Sequence, residues 1–180
     1  MDPYADALVK AKNAVHRFTT RYQLIDRLGR PDELAAVGFR DRLYVLIHGR
    51  DTLGVGARQV SGHPYQDVTG DELADRLIAR GLRNKVIDLR LWTCSGGRDA
   101  ATPAAGFGGV ALSFAGRVHA RLHAVGHRCI AVCSYLEPVS LAGTALAGNG
   151  GHKKLAAGGD HTRLVGTAGL KTHYPRASII

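Results

Sequence analysis

The chain has 180 residues, 45% hydrophobic and 22% charged, with a net charge of +9. These are proportions of a globular domain with one core, and they exclude a wholly disordered chain, a collagen and a coiled coil. No apolar run approaches the ~20 residues that a membrane span requires.

The three cysteines, Cys94, Cys129 and Cys133, are too few and odd in number for a disulfide scaffold. They suit a reducing compartment or a thiol kept for chemistry. The N-terminal segment opens acidic and lacks the apolar core of a Sec signal peptide. Residues 1–180 read as a single domain, with no internal repeat and no linker.

Asp2 and Pro3 read as an N-cap and first helical position, followed by a short amphipathic helix to about residue 17. Thr20–Leu28 is a candidate strand, and Pro31–Val37 a turn or two of helix. Arg42–Gly49 (RLYVLIHG) is the clearest element, an apolar run of the kind found in a central parallel strand covered on both faces. A polar, Gly-rich loop, Arg50–Val68, comes next. Thr69 and Glu72 then form a T-x-x-E capping box for a helix with Leu73, Leu77 and Ile78 on its apolar stripe and Gly81 at its end.

Val86–Trp92 (VIDLRLW) is the following strand, so strand, helix and strand make a βαβ unit. A second crossover reads from Val110–Val125, with Phe114, Val118, Leu122 and Val125 on one face and Gly126 as terminator, into the buried strand Cys129–Tyr135. Beyond Gly143 the chain is Gly-rich and basic, with Thr162–Gly166 as a hairpin strand. The expected fold is α/β, with a mainly parallel sheet and helices on both faces.

In such a sheet, ligands and catalytic groups collect beyond the carboxyl ends of the strands. His48 and Cys94 occupy those ends on consecutive strands. If the strands are neighbours, their backbones lie about 4.8 Å apart and a thiol–imidazole pair becomes possible. A cysteine attacks as thiolate, and an adjacent imidazole promotes its ionisation and protonates the leaving amine. Gly49 leaves room for a substrate carbonyl, and the backbone N–H groups of Gly49 and Cys94 are candidate oxyanion donors. Ser95-Gly96-Gly97 leaves space around the sulfur. No third, orienting carboxylate is evident. The competing reading is a small residue and a polar cap at two strand ends.

The segments LYVLIHGRD, GDELADRLIARG and VIDLRLWTCSGG together resemble the cysteine protease domain that autoprocesses RTX and large clostridial toxins, a caspase-like family. The resemblance rests on His48-Gly49-Arg50-Asp51, Gly70-Asp71-Glu72-Leu73-Ala74 and Thr93-Cys94-Ser95, and it covers residues 42–97 best. Thr93 stands where that family usually has Gly. The resemblance implies a caspase-like sandwich and a cysteine endopeptidase with a His48–Cys94 dyad. It also implies a protein or peptide substrate, commonly cut after Leu, and a bacterial effector or toxin made in the cytoplasm and delivered outside the cell without a Sec signal.

In that family inositol hexakisphosphate activates the domain from a basic surface behind a β-flap. Here residues 150–180 carry a net +4, from Lys153, Lys154, Arg163, Lys171 and Arg176 against Asp160. Lys153, Lys154, Arg163 and Lys171, with Arg50, are the residues for such a polyphosphate. A non-catalytic caspase-like module that binds a partner protein or polyanion through this region is the alternative, and a solvated basic tail is the plainer one.

His119, His123 and His127 recur every four residues, and His119 and His123 at i, i+4 suit a shared Zn²⁺. They flank the apolar stripe, however, Gly126 separates His127, and Cys129 and Cys133 fall in an apolar strand where Cys packs as a small hydrophobe. No metal site is expected from this pattern. Nor is specific nucleic-acid recognition: aromatics are few and not interleaved with the basic residues, and no recognition motif appears. The charge permits only a weak, salt-sensitive affinity.

Overall fold

A computed structural model of the chain describes residues 32–49, 55–58, 65–93, 96–97, 113–136, 139–141, 154–157, 164–166 and 171–176. The N-terminal helix and the strand read at Thr20–Leu28 lie outside the described residues.

Strands β1 (Arg42–Leu46), β2 (His48–Gly49), β3 (Val55–Arg58) and β4 (Gln66–Thr69) precede helix α1 (Gly70–Ala79). Strand β5 (Asp88–Trp92), helix α2 (Phe114–Ala124) and strand β6 (Ala131–Tyr135) follow. The chain ends in β7 (Val139–Leu141), β8 (Lys154–Ala157), β9 (Leu164–Gly166) and β10 (Lys171–Tyr174).

The main sheet has the order β1-β5-β6-β10. β5 pairs in parallel with both β1 and β6, and β10 runs antiparallel to β6. The mixed α/β class and the mainly parallel sheet are therefore as expected. β2, β3 and β4 form a second, antiparallel sheet, and β7, β8 and β9 a third.

The alternation of side chains along parallel strands divides the main sheet into two faces. Leu43, Leu89, Leu91 and Val132 enter one core cluster with Leu73, Leu77, Phe114, Val118 and Leu122 from the helices. Leu46 packs with Trp92 and Tyr135 in a separate cluster. Both described helices belong to the first core, so cover on both faces of the sheet is met on one face among the described residues.

Each helix begins where its sequence specifies. Thr69 Oγ1 accepts from Glu72 N–H at 3.2 Å, and Glu72 Oε2 accepts from Thr69 N–H at 2.8 Å. That reciprocal pair is the capping box, a feature of about 1 kcal/mol. Ser113 caps α2, its Oγ accepting from Gly116 N–H at 3.0 Å. Past the helix ends, Gly81 at φ 86° and Gly126 at φ 100° adopt the left-handed conformation that glycine tolerates best.

Gly70 sets the distance between the helices. A Cβ there would collide with the Phe114 carbonyl oxygen and lie 2.6 Å from Arg117 Cβ. The first turns of α1 and α2 thus meet backbone to backbone. Exposed ion pairs join the same helices farther along, Arg121 Nε to Asp75 Oδ1 at 2.7 Å and Arg117 to Asp71 at 3.9 Å. Exposed pairs of this kind contribute little.

Several expectations are corrected. Arg42–Gly49 is not one strand: β1 stops at Leu46, and His48-Gly49 pairs instead with Gly56 and Ala57 of β3. Ile47 lies between the two strands, its Cδ1 3.1 Å from where a Gly56 Cβ would stand. β1 is also an edge strand of the described sheet rather than a central one. The region read as a loop, Arg50–Val68, contains β3 and most of β4. Cys129 precedes β6, because Ile130 N–H is already turned to the His127 carbonyl at 3.3 Å. Val125 caps α2 and is exposed rather than part of the buried stripe.

Candidate active site

β1 and β5 are immediate parallel neighbours, matched from Arg42↔Asp88 to Leu46↔Trp92. Ile47 N–H extends the ladder by donating to the Trp92 carbonyl at 3.3 Å. His48 is two residues past Leu46, and Cys94 is two residues past Trp92. The condition attached to the pair in the sequence, that their strands be adjacent, is met. Cys94 itself lies outside the described residues, as do Ser95 and Arg50.

His48 is exposed, at the first position of β2. Tyr65, just before β4, stands beside it: the ring centroids are 4.8 Å apart in an edge-on contact, with interplanar angle 77°. Tyr65 Oη lies 3.4 Å from His48 Nε2. A phenol held there favours one imidazole orientation and leaves Nδ1 for a second partner. Tyr65 was not visible as a site residue in the sequence. Only the pairing of β2, β3 and β4 brings it to the histidine, and the polar segment between them carries no alternation to reveal that pairing.

The chain just past β5 is tied down on both sides. Gly96 N–H donates to the Thr93 carbonyl at 3.3 Å. Gly97 N–H donates to the Tyr135 carbonyl at 2.9 Å, anchoring this segment on β6. A Cβ on Gly96 would stand 2.8 Å from both Ser134 Oγ and Thr93 Cβ, and one on Gly97 would stand 2.7 Å from Thr172 Oγ1. Both glycines are therefore required by close packing against β6 and β10. Thr93 is buried, and its Oγ1 has no hydrogen-bond partner among the described residues.

Helix α2 points its N-terminus at this segment. Ala115 N–H donates to the Gly96 carbonyl at 2.9 Å, and the Phe114 ring packs within 3.1 Å of where a Cβ of Gly56 would be. The N-terminal end of a helix carries partial positive charge and stabilises a thiolate nearby. The same contacts bind the hairpin β2–β3, the end of β5 and α2 into one unit. Gly49, a candidate oxyanion donor, lies within it, paired with Gly56.

Two of the basic residues lie on strands. Lys154 opens β8, where it pairs with Leu141, and Lys171 opens β10, where it pairs with Tyr135. The β7-β8-β9 meander follows β6 in the chain and precedes β10. Lys153 and Arg163 lie outside the described residues. No helix among the described residues is long and apolar enough to cross a membrane. Comparison with protein-family models and with curated proteins finds no match.

Proposed function

We propose that the protein is a cysteine endopeptidase of caspase-like architecture, with Cys94 as nucleophile and His48 as general base and acid. The observation that carries this reading is the parallel register of β1 and β5. It ends in Leu46↔Trp92, and His48 and Cys94 each come two residues later in the sequence. In this mechanism His48 takes the Cys94 thiol proton, and the thiolate attacks the substrate carbonyl carbon. Backbone N–H groups at Gly49 and Cys94, beside Ser95, hold the oxyanion. His48 then protonates the departing amine, and water releases the acyl group from sulfur. The α2 N-terminus, bonded to the Gly96 carbonyl, supports the thiolate.

Inositol hexakisphosphate is the proposed activator, bound by Lys153, Lys154, Arg163 and Lys171 with Arg50. The strand context of Lys154 and Lys171 and the net +4 of residues 150–180 support a polyanion there. Charge-assisted contacts to phosphate are the stronger kind where several cations converge. The protein substrate follows from the resemblance, as does delivery outside a bacterial cell.

Incubation with a library of Leu-containing peptides tests the reading, with and without the polyphosphate at about 0.15 M salt, where exposed charges screen within ~8 Å. Cleavage in the wild type that disappears in Cys94→Ala and in His48→Ala supports the peptidase. Cleavage surviving either substitution, or none under any condition, favours a binding module. A ligand response lost in the double variant Lys153→Ala, Lys154→Ala supports the activator site.

A further inference from the structure

His119 and His123 lie one turn apart on α2, with ring centroids 3.8 Å from each other and planes tilted by 45°. Each ring is held by its outer nitrogen. His119 Nε2 donates to the Pro175 carbonyl at 2.9 Å, and His123 Nε2 donates to the Ile130 carbonyl at 3.0 Å. A carbonyl accepts only, so each imidazole carries its proton on Nε2 when neutral, and each Nδ1 keeps its lone pair. Among the described residues neither Nδ1 has a hydrogen-bond partner. The helix beneath is fixed by the Ser113 cap and by burial of Phe114, Val118 and Leu122.

We propose that His119 and His123 form a two-nitrogen site for a late first-row divalent cation, with water completing the coordination. Spacing, proximity and tautomer all carry it. Two bonds of ~2.0–2.1 Å to one ion bridge nitrogens up to ~4 Å apart, and rings whose centroids lie 3.8 Å apart are close enough for a small side-chain adjustment to bring both Nδ1 atoms to one ion. Metal-binding histidines characteristically donate their other N–H to a backbone carbonyl or carboxylate, which fixes ring and tautomer. Both rings here do so. Imidazole donors suit Cu²⁺, Ni²⁺ and Zn²⁺, with Cu²⁺ bound most tightly. Among the described residues no cluster of three or more metal-ligating side chains occurs, so this is an open two-ligand site rather than a closed structural one. The carbonyls lie just past β10 and just before β6. The two imidazoles that would hold the ion thus also tie α2 to both segments through their Nε2 bonds.

Untagged protein freed of metal by EDTA and dialysis is titrated with Cu²⁺, Ni²⁺ or Zn²⁺ alone while the ring proton signals of its histidines are followed. Substoichiometric Cu²⁺ is expected to broaden the His119 and His123 signals ahead of those of the other histidines. Cu²⁺ is also expected to raise the melting temperature, with affinity reduced at least about tenfold in His119→Gln and in His123→Gln. His173→Gln, altering an exposed histidine of β10 whose positive charge would oppose a cation at His119, should not lower the affinity. The broadening needs no variant, so a substitution that impairs folding does not obscure the result. Broadening that begins at other histidines, or affinity unchanged in both single variants, overturns the proposal. Loss in His173→Gln equal to that in His119→Gln also overturns it.

Discussion

Leu46 and Trp92 face each other as the last matched residues of the parallel pair β1 and β5. Beyond them the two strands part in different ways. The first passes through Ile47 into a short antiparallel pairing that carries His48, and past the second, Gly96 N–H is bonded to the Thr93 carbonyl. The candidate base thus stands on a hairpin, and the candidate nucleophile follows a strand end packed against two further strands. A dyad built this way depends on the hairpin and on the glycines at least as much as on the strands.

Gly96→Ala tests that dependence. Its Cβ would stand 2.8 Å from Ser134 Oγ and Thr93 Cβ, both buried. Overpacking of this kind costs about 1–3 kcal/mol or forces the backbone to move. We expect peptide cleavage to fall by tenfold or more, with a smaller loss in melting temperature. Wild-type turnover in the variant would remove the proposed role of this glycine.

Tyr65→Phe keeps the ring against His48 and removes only the hydroxyl. If the phenol orients the imidazole, kcat should fall several-fold while KM changes little. Tyr65→Ala, which also removes the edge-on ring contact, should fall further. An effect confined to KM would place Tyr65 against substrate instead.

Gly70→Ala separates stability from activity. Alanine is the better helix former by about 1 kcal/mol. Here its methyl would meet the Phe114 carbonyl and Arg117 Cβ. We expect a net loss of about 1–3 kcal/mol from steric overlap, read by chemical denaturation. A gain in stability would show that the helices separate freely.

How far this architecture was legible in the sequence depends on the physics of each segment. The capping box at Thr69 and Glu72 and the glycines at 81 and 126 are local signals, and the structure contains all of them. The apolar runs of β1, β5 and β6 likewise identify themselves, and their βαβ order places β1 beside β5. The β2-β3-β4 sheet was not legible, because its strands are short, polar and Gly-rich. Ile47 reads as strand by composition, yet after one last ladder bond to Trp92 the chain turns away to β3, and the Ile47 side chain packs where Gly56 allows close approach. Tyr65 meets His48 only through that sheet. The edge position of β1 is a property of the whole sheet and leaves no mark on five residues.

Stability should fall in two steps with acid. Burial lowers the pKa of His127 and of His119, against the opposing effect of a backbone carbonyl in each case; His123 and His173 lower His119 further. A histidine with a folded pKa below its unfolded ~6.5 contributes stability that is full above ~6.5 and is lost as pH falls through the folded value. Asp88 acts lower. Partial burial raises its carboxyl, but hydrogen bonds from Arg90 and Arg42 outweigh this and hold it below the ordinary value. Its contribution is full above the unfolded value and is lost as pH drops through the folded one. Melting temperatures in EDTA should decline from pH 7 to 5 and again below about 4. His127→Leu should flatten the first decline, and Asp88→Asn the second. A profile level from pH 7 to 5 in the wild type would contradict the first assignment.

The most direct test of the dyad is the rate and site of alkylation by a peptidyl electrophile carrying Leu, mapped by mass spectrometry. Cys133 is buried in β6 and Cys129 half-buried before it, so neither should compete for the reagent. We expect modification at Cys94 well ahead of the other two thiols. The rate should fall by at least tenfold in His48→Ala, because the thiolate loses its imidazole partner. Preferential labelling of Cys129 or Cys133, or a Cys94 rate indifferent to His48→Ala, would contradict the proposed dyad.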